Sequence, residues 1–152
     1  MERSIVVIAH NIRSLWNIGA VFRSADAFRI HHIYLTGYTA APPRREISKT
    51  ALGAEHSVPW SKETDPALII ARKRSEGYVI AALELCEGSI PLMAYRPRGN
   101  VCLILGHEIA GVPEELICRS DCAVHIPMLG QKRSLNVSVA AGIAFYQLRS
   151  CC

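Results

Sequence analysis

The chain has 152 residues, half of them hydrophobic and 20% charged, which is the composition of one folded domain and excludes a disordered or low-complexity protein. Its apolar runs fall far short of the roughly 20 residues that cross a bilayer, so no transmembrane segment is expected. The net charge of +4 gathers in short clusters, Arg44 and Arg45 with Lys49, Arg72 to Arg74, Arg96 with Arg98, and Lys132 with Arg133, a distribution that suits a phosphate backbone as well as an ordinary mildly basic surface.

In chain order, the start carries only a short apolar run after Ser4 and no small-residue cleavage pattern, so it does not read as a signal peptide and predicts a cytoplasmic protein. Its six cysteines are then expected as reduced thiols, and none has zinc-site spacing. Residues 4 to 9 read as a strand and 17 to 28 as a helix, with Ile18, Val21, Phe22, Ala25 and Phe28 on one side. A second strand at 32 to 36 ends at Gly37, and a Pro- and Arg-rich loop is expected to run to about Lys49. A short strand is expected around 56 to 60, a helix from Asp65 to Ser75, and a strand at 78 to 83. The continuous apolar run at 101 to 105 has the character of a central parallel strand. A helix opening with Pro113 at its first position, a strand at 123 to 126 and a last helix from Ser134 to Leu148 complete the alternation. The expectation is a single α/β domain over residues 1–152 with a mostly parallel sheet flanked by helices.

Three stretches carry chemistry beyond packing. In NIGAVFRSADAF, residues 17 to 28, Arg23 falls opposite the apolar side among Gly19, Ala20 and Ala27, where small side chains let a ligand or another backbone approach; a surface arginine pairing with Asp26 is the plainer alternative. Asn17 could serve as a helix cap and nothing more. In LILGHEIAGVPEEL, residues 103 to 116, a loop bearing Glu108 follows a buried strand, the position where α/β sheets bind ligands. Val112 and Pro113 stand where a Walker A loop needs Lys and Ser or Thr, so a phosphate-cradling loop is excluded. In IPMLGQKRSLNVSVAAG, residues 126 to 142, Ser134 is poised as cap of a helix apolar nearly all round, which is buried or packs on a second subunit. Asn136 and Ser138 at the head of such a helix ask for partners.

Taken in order, these stretches resemble the three motifs of the SpoU-type (TrmH-like) RNA 2′-O-ribose methyltransferases of the SPOUT superfamily, and residues 49 to 54 are similar to a further family segment. The resemblance runs from Ile5 to Leu148. It implies an α/β fold with a deep C-terminal trefoil knot, S-adenosyl-L-methionine as cofactor, transfer RNA or ribosomal RNA as partner, and a homodimer through the C-terminal helix. It carries catalytic roles onto Asn17, Arg23, Glu108, Ser134 and Asn136. It carries cofactor contacts onto Leu105, Gly106, Ile126, Met128, Ser134 and Leu135, largely through backbone groups. A non-catalytic knotted RNA-binding or assembly protein is the alternative. Arg29 departs from the family pattern, which has glycine there, and raises the question of an altered turn or an added phosphate contact.

Overall fold

The computed structural model describes residues 2–151. A seven-stranded sheet is built from β1 (Ile5–His10), β2 (His32–Thr36), β3 (Trp60–Lys62), β4 (Val79–Leu83), β5 (Ile90–Pro91), β6 (Val101–Leu105) and β7 (Cys122–His125), in the spatial order β3-β2-β1-β6-β4-β7-β5. Every ladder is parallel, as the uninterrupted apolar runs of β1 and β6 require, since both faces of those strands are covered. The helices are α1 (Leu15–Ala27), α2 (Arg45–Ala51), α3 (Ala54–Ser57), α4 (Pro66–Ser75), α5 (Glu114–Arg119) and α6 (Val137–Ser150). One core, centred on Phe22, Ile33, Leu103 and Phe145, joins one sheet face to α1, α2 and α6; the other, around Ile69, Ile80, Ile104 and Leu116, joins the opposite face to α4 and α5.

The order places β6 between β1 and β4, and β7 on the far side of β4. In register, Ala9 faces Leu105, Ile104 faces Ala82, and Ala82 faces Ala123. The carboxyl ends of four strands therefore finish level, and the loops leaving them meet on one edge, the place where α/β sheets hold ligands.

Several elements differ from expectation for local reasons. The Pro- and Arg-rich loop contains α2, which packs so closely on α1 that a Cβ at Gly19 would lie 2.0 Å from Thr50 Oγ1 and 2.2 Å from the Ile47 carbonyl. The strand expected at 56 to 60 begins only at Trp60, because residues 54 to 57 form a helical turn. Pro113 is the cap of α5 and not its first residue. β5 was not anticipated, since two residues carry no periodicity. Asn17 is not a cap: α1 starts earlier, with Ser14 Oγ accepting from the Asn17 amide. Nor does Ser134 cap α6; Asn136 does, its side chain accepting from the Ser138 amide at 2.9 Å.

Helix α6 is also not buried all round. Ala141, Ala144, Phe145 and Leu148 enter the core, while Val139, Ile143 and Tyr146 face outward. Arg29 keeps the left-handed turn, with φ of 51°. Its carbonyl accepts from Arg149 Nη2 at 2.6 Å, and its own guanidinium meets Glu2 at 3.1 Å. Among the described residues no helix is long and apolar enough to cross a membrane.

Candidate active site

A cleft opens at the level ends of β4, β6 and β7. Leu105, Gly106, Ile126, Met128, Ser134 and Leu135 all line it, so the six positions expected to touch a cofactor share one wall system. Gly106 is there for want of a side chain: a Cβ would sit 2.4 Å from Gly111 backbone atoms and from the Val112 nitrogen. This close return lets His107 and Gly111 exchange backbone hydrogen bonds of 3.1 and 2.9 Å and turns the loop so that Glu108 faces the first motif.

Residues 127–135, on the opposite wall, make no hydrogen bond among the described residues. Most of this segment is exposed and its backbone groups are met by water; Met128, Arg133, Ser134 and Leu135, which line the cleft, are the ones within reach of a ligand there. With Leu105, Ile126, Met128 and Leu135 around them, they suit a flat heterocycle with hydrogen-bonding edges and an apolar face.

The polar centre lies at one end of the cleft. Glu108 Oε1 accepts from the Ser14 amide at 2.9 Å and from Asn17 Nδ2 at 3.4 Å, and its Oε2 accepts from the Arg13 amide at 3.1 Å. Asn17 Oδ1 in turn accepts from Asn136 Nδ2 at 3.2 Å, and Asn136 Oδ1 accepts from the Ser138 amide and hydroxyl. Glu108, Asn17 and Asn136, from three separate motifs, thus form one hydrogen-bonded chain. Burial pushes the Glu108 carboxyl up, but the amides of Ser14, Glu108 itself and Arg13, with the Asn17 side chain, hold it below the ordinary carboxylate value. A carboxylate so stabilised and so fully engaged is a poor proton acceptor; it positions Asn17 and the start of α1.

Arg23 is not part of this chain. It is exposed on α1, about 9 Å along the axis from Asn17 at 1.5 Å per residue, and has no partner among the described residues. Asp26 pairs with the Ser57 hydroxyl at 2.7 Å instead of with Arg23. Ser134 lines the cleft but makes no hydrogen bond to Asn136 or Glu108. The sequence reading missed Glu84 and His125, which also line the cleft; Glu84 Oε2 accepts from the Val112 amide at 2.8 Å and braces the Gly106 to Val112 turn. Their position just beyond or at the end of a strand was the available signal. The five described cysteines are free thiols, Cys102 being buried and its thiol pushed up to about 12 by burial, and no metal-ligating cluster occurs among the described residues.

Comparison with known proteins adds four findings. A family model described as SpoU rRNA Methylase matches residues 4–146. A tRNA (guanosine(18)-2′-O)-methyltransferase of Aquifex aeolicus is 29% identical over 147 residues, covering 96% of this chain and 69% of that protein. Among solved structures, an AdoMet-bound rRNA methyltransferase from Sinorhizobium meliloti superposes with a TM-score of 0.90 at 28% identity, covering 99% of this chain and 57% of that one. A structure from work on 2-OH methylation of C/U34 on tRNA superposes with a TM-score of 0.85 at 25% identity, covering 98% of this chain and 96% of that one. The chain spans 57% to 69% of the length of the first three curated relatives it matches.

Proposed function

The chain belongs to the SpoU rRNA Methylase family, and on that premise we propose that it transfers a methyl group from S-adenosyl-L-methionine to a ribose 2′-hydroxyl of structured RNA, tRNA first and rRNA next. The observation that carries the reading is the convergence of Asn17, Glu108 and Asn136 in one hydrogen-bonded chain beside a cleft whose far wall has unpartnered backbone groups. A non-catalytic RNA-binding protein has no use for an amide–carboxylate chain ordered across three separate motifs, and this favours the enzyme.

The cleft fits the cofactor: backbone groups of Met128, Ser134 and Leu135 would meet a purine edge, and Leu105, Ile126, Met128 and Leu135 would cover its faces. When bound, the sulfonium supplies an already activated methyl group. The protein's share is alignment and charge. Bound there, the cofactor would give its methyl to the ribose oxygen and leave as the neutral thioether, and the hydroxyl proton would pass to solvent or to a substrate phosphate. In-line placement of the two reacting groups accounts for much of the acceleration. Asn17 and Asn136, each fixed by a partner, hold the ribose. The role of the Arg23 guanidinium is to hold a phosphate and stabilise the developing alkoxide. The 2′-hydroxyl itself restricts the acceptor to RNA.

The homodimer is part of the same proposal. Ala20 and Ser24 of α1 and Phe28 just after it, with Val139, Gly142, Ile143 and Tyr146 of α6, form an exposed, largely apolar groove; Arg23 is the exposed chain neighbour of Ser24. A second copy seated on this face brings its Arg23 toward the cleft that lacks one. The trefoil knot belongs here too; it is supported by the insertion of β6 between β1 and β4 and by the fold shared with the solved relatives.

The test is calorimetric titration with S-adenosyl-L-methionine, followed by tritiated-methyl transfer to total RNA and nuclease digestion. Label on a 2′-O-methylnucleoside is expected. Arg23→Lys should cut turnover on the order of 100-fold or more while cofactor affinity is retained. Cofactor binding without transfer would point to a missing partner or the wrong RNA, and no cofactor binding at all would favour the non-catalytic alternative.

A further inference from the structure

A second cleft backs onto the first. It is lined by Arg13, Trp16, Arg44 and Glu46 on one side and by His107, Glu108 and Ile109 on the other, so the loop bearing Glu108 is a wall of both. Trp16 is 47% exposed in the first turn of α1. An indole left half in solvent costs hydrophobic stabilisation unless something covers it. Its setting is fixed: the Thr50 hydroxyl donates to the Trp16 carbonyl at 2.7 Å, and Lys49 Nζ stands 5.5 Å from the ring centroid. The neighbour of Trp16 in the chain is Asn17, whose amide touches Glu108.

We infer that this cleft receives the RNA, with Trp16 as a stacking platform for an unpaired base flanking the methylated nucleotide. The inference rests on the methyltransferase reading and extends it to substrate docking. Three features select a single-stranded nucleic acid over a peptide or a small metabolite. The indole is flat and half exposed, with Lys49 over one side of the ring, and any base can stack on the side that Lys49 leaves clear. Arg13 and Arg44 line the cleft and Lys49 stands over the ring; of the two carboxylates in the lining, Glu108 is spent on the Arg13 and Ser14 amides and on Asn17, which leaves Glu46 as the opposing charge, so the rim around Trp16 suits phosphates. His107 Nδ1 accepts from the amides of Ile109 and Ala110 at 3.0 Å each, which leaves Nε2 as the ring nitrogen available to a ligand on the shared wall. Geometry then sets the order along the strand. A base on Trp16 leaves the adjoining ribose beside Asn17 and Glu108, at the mouth of the cofactor cleft. A paired base cannot stack in this way, so the target lies in a loop or must be unpaired.

The test uses fluorescence and kinetics together. Trp60 is partly buried in β3 and away from both clefts, so Trp60→Phe leaves Trp16 as the sole indole. Titration of that variant with a nine-nucleotide oligouridylate and with unfractionated tRNA should quench its emission saturably, and more weakly as salt rises. In the wild-type background, Trp16→Ala should raise the KM for unfractionated tRNA at least about fivefold, with S-adenosyl-L-methionine affinity unchanged and Trp16→Phe restoring KM to within about twofold. Arg44→Ala should weaken RNA binding and lower the salt slope by about one. Absence of quenching, or an unaltered KM in Trp16→Ala, overturns the inference while leaving methyl transfer intact. Quenching in a protein that transfers no methyl supports the docking site and sinks the catalytic reading instead.

Discussion

Glu108 illustrates how one side chain can be decisive without taking part in bond making. Its oxygens are spent on two backbone amides and on Asn17, and Asn17 spends its own oxygen on Asn136. Removing the charge should therefore loosen α1 at its start and release both asparagines. Glu108→Gln puts an N–H group where an amide already points and should cost on the order of 1–2 kcal/mol. The pH dependence has a definite sign. Because the folded-state value is depressed, the contribution of Glu108 is present in full above the ordinary glutamate value and is lost as pH falls through the lowered one. Thermal midpoints measured against pH should show Glu108→Gln below wild type at neutral pH and converging with it in acid. A constant offset down to acid pH would mean that the ionised carboxylate is not what the amides hold. Arg29 carries the opposite lesson. A residue outside the family pattern keeps the pattern's backbone, because Arg149 ties down the carbonyls of Phe28, Arg29 and Arg3.

At the level of elements, amphipathic or wholly apolar patterns were readable and their edges were not. The runs at β1, β4 and β6 and the face of α1 are written in hydrophobicity, since burial selects apolar residues at every position or on one side. The start of α6 is not, because Ser134 and Asn136 are equally good caps by residue type, and only the tertiary pull of Asn17 on Asn136 decides between them. Helix α2 was hidden for a related reason: prolines and arginines before it resemble a loop, and its packing depends on the missing side chain of Gly19. The apolar outer face of α6 was legible as composition but ambiguous between core and interface. Its exposure of Val139, Ile143 and Tyr146 turns it into a dimer prediction. Ile143→Asp should leave the circular-dichroism spectrum unchanged, halve the mass seen by light scattering and lower methyl transfer. A dimer that survives this substitution would place the interface elsewhere.

At the scale of the molecule, periodicity specifies that strands are central or peripheral but carries no information about the route between them. Continuous apolar runs mark β1, β4 and β6 as interior, yet nothing in them says that β6 enters between β1 and β4; a knot was implied by family likeness alone. The same limit applies to residues that meet only across two chains. Arg23 stands apart from Asn17, Glu108 and Asn136 within one chain, exposed on α1 and next in sequence to Ser24 of the α1–α6 groove. If the partner supplies this arginine, activity becomes a property of the pair of chains. Two inactive variants then test the arrangement. In a dimer of Arg23→Ala with Asn136→Ala, the cleft of the first variant keeps Asn136 and borrows an intact arginine from the second. Co-refolding equal amounts should restore about one quarter of wild-type turnover, since half the dimers are mixed and each holds one complete site of two. If Arg23 serves its own chain, every cleft in the mixture is defective and no activity returns. Recovery that titrates with the mixing ratio, measured by tritiated-methyl transfer, would assign Arg23 to the partner's cleft without any further structure.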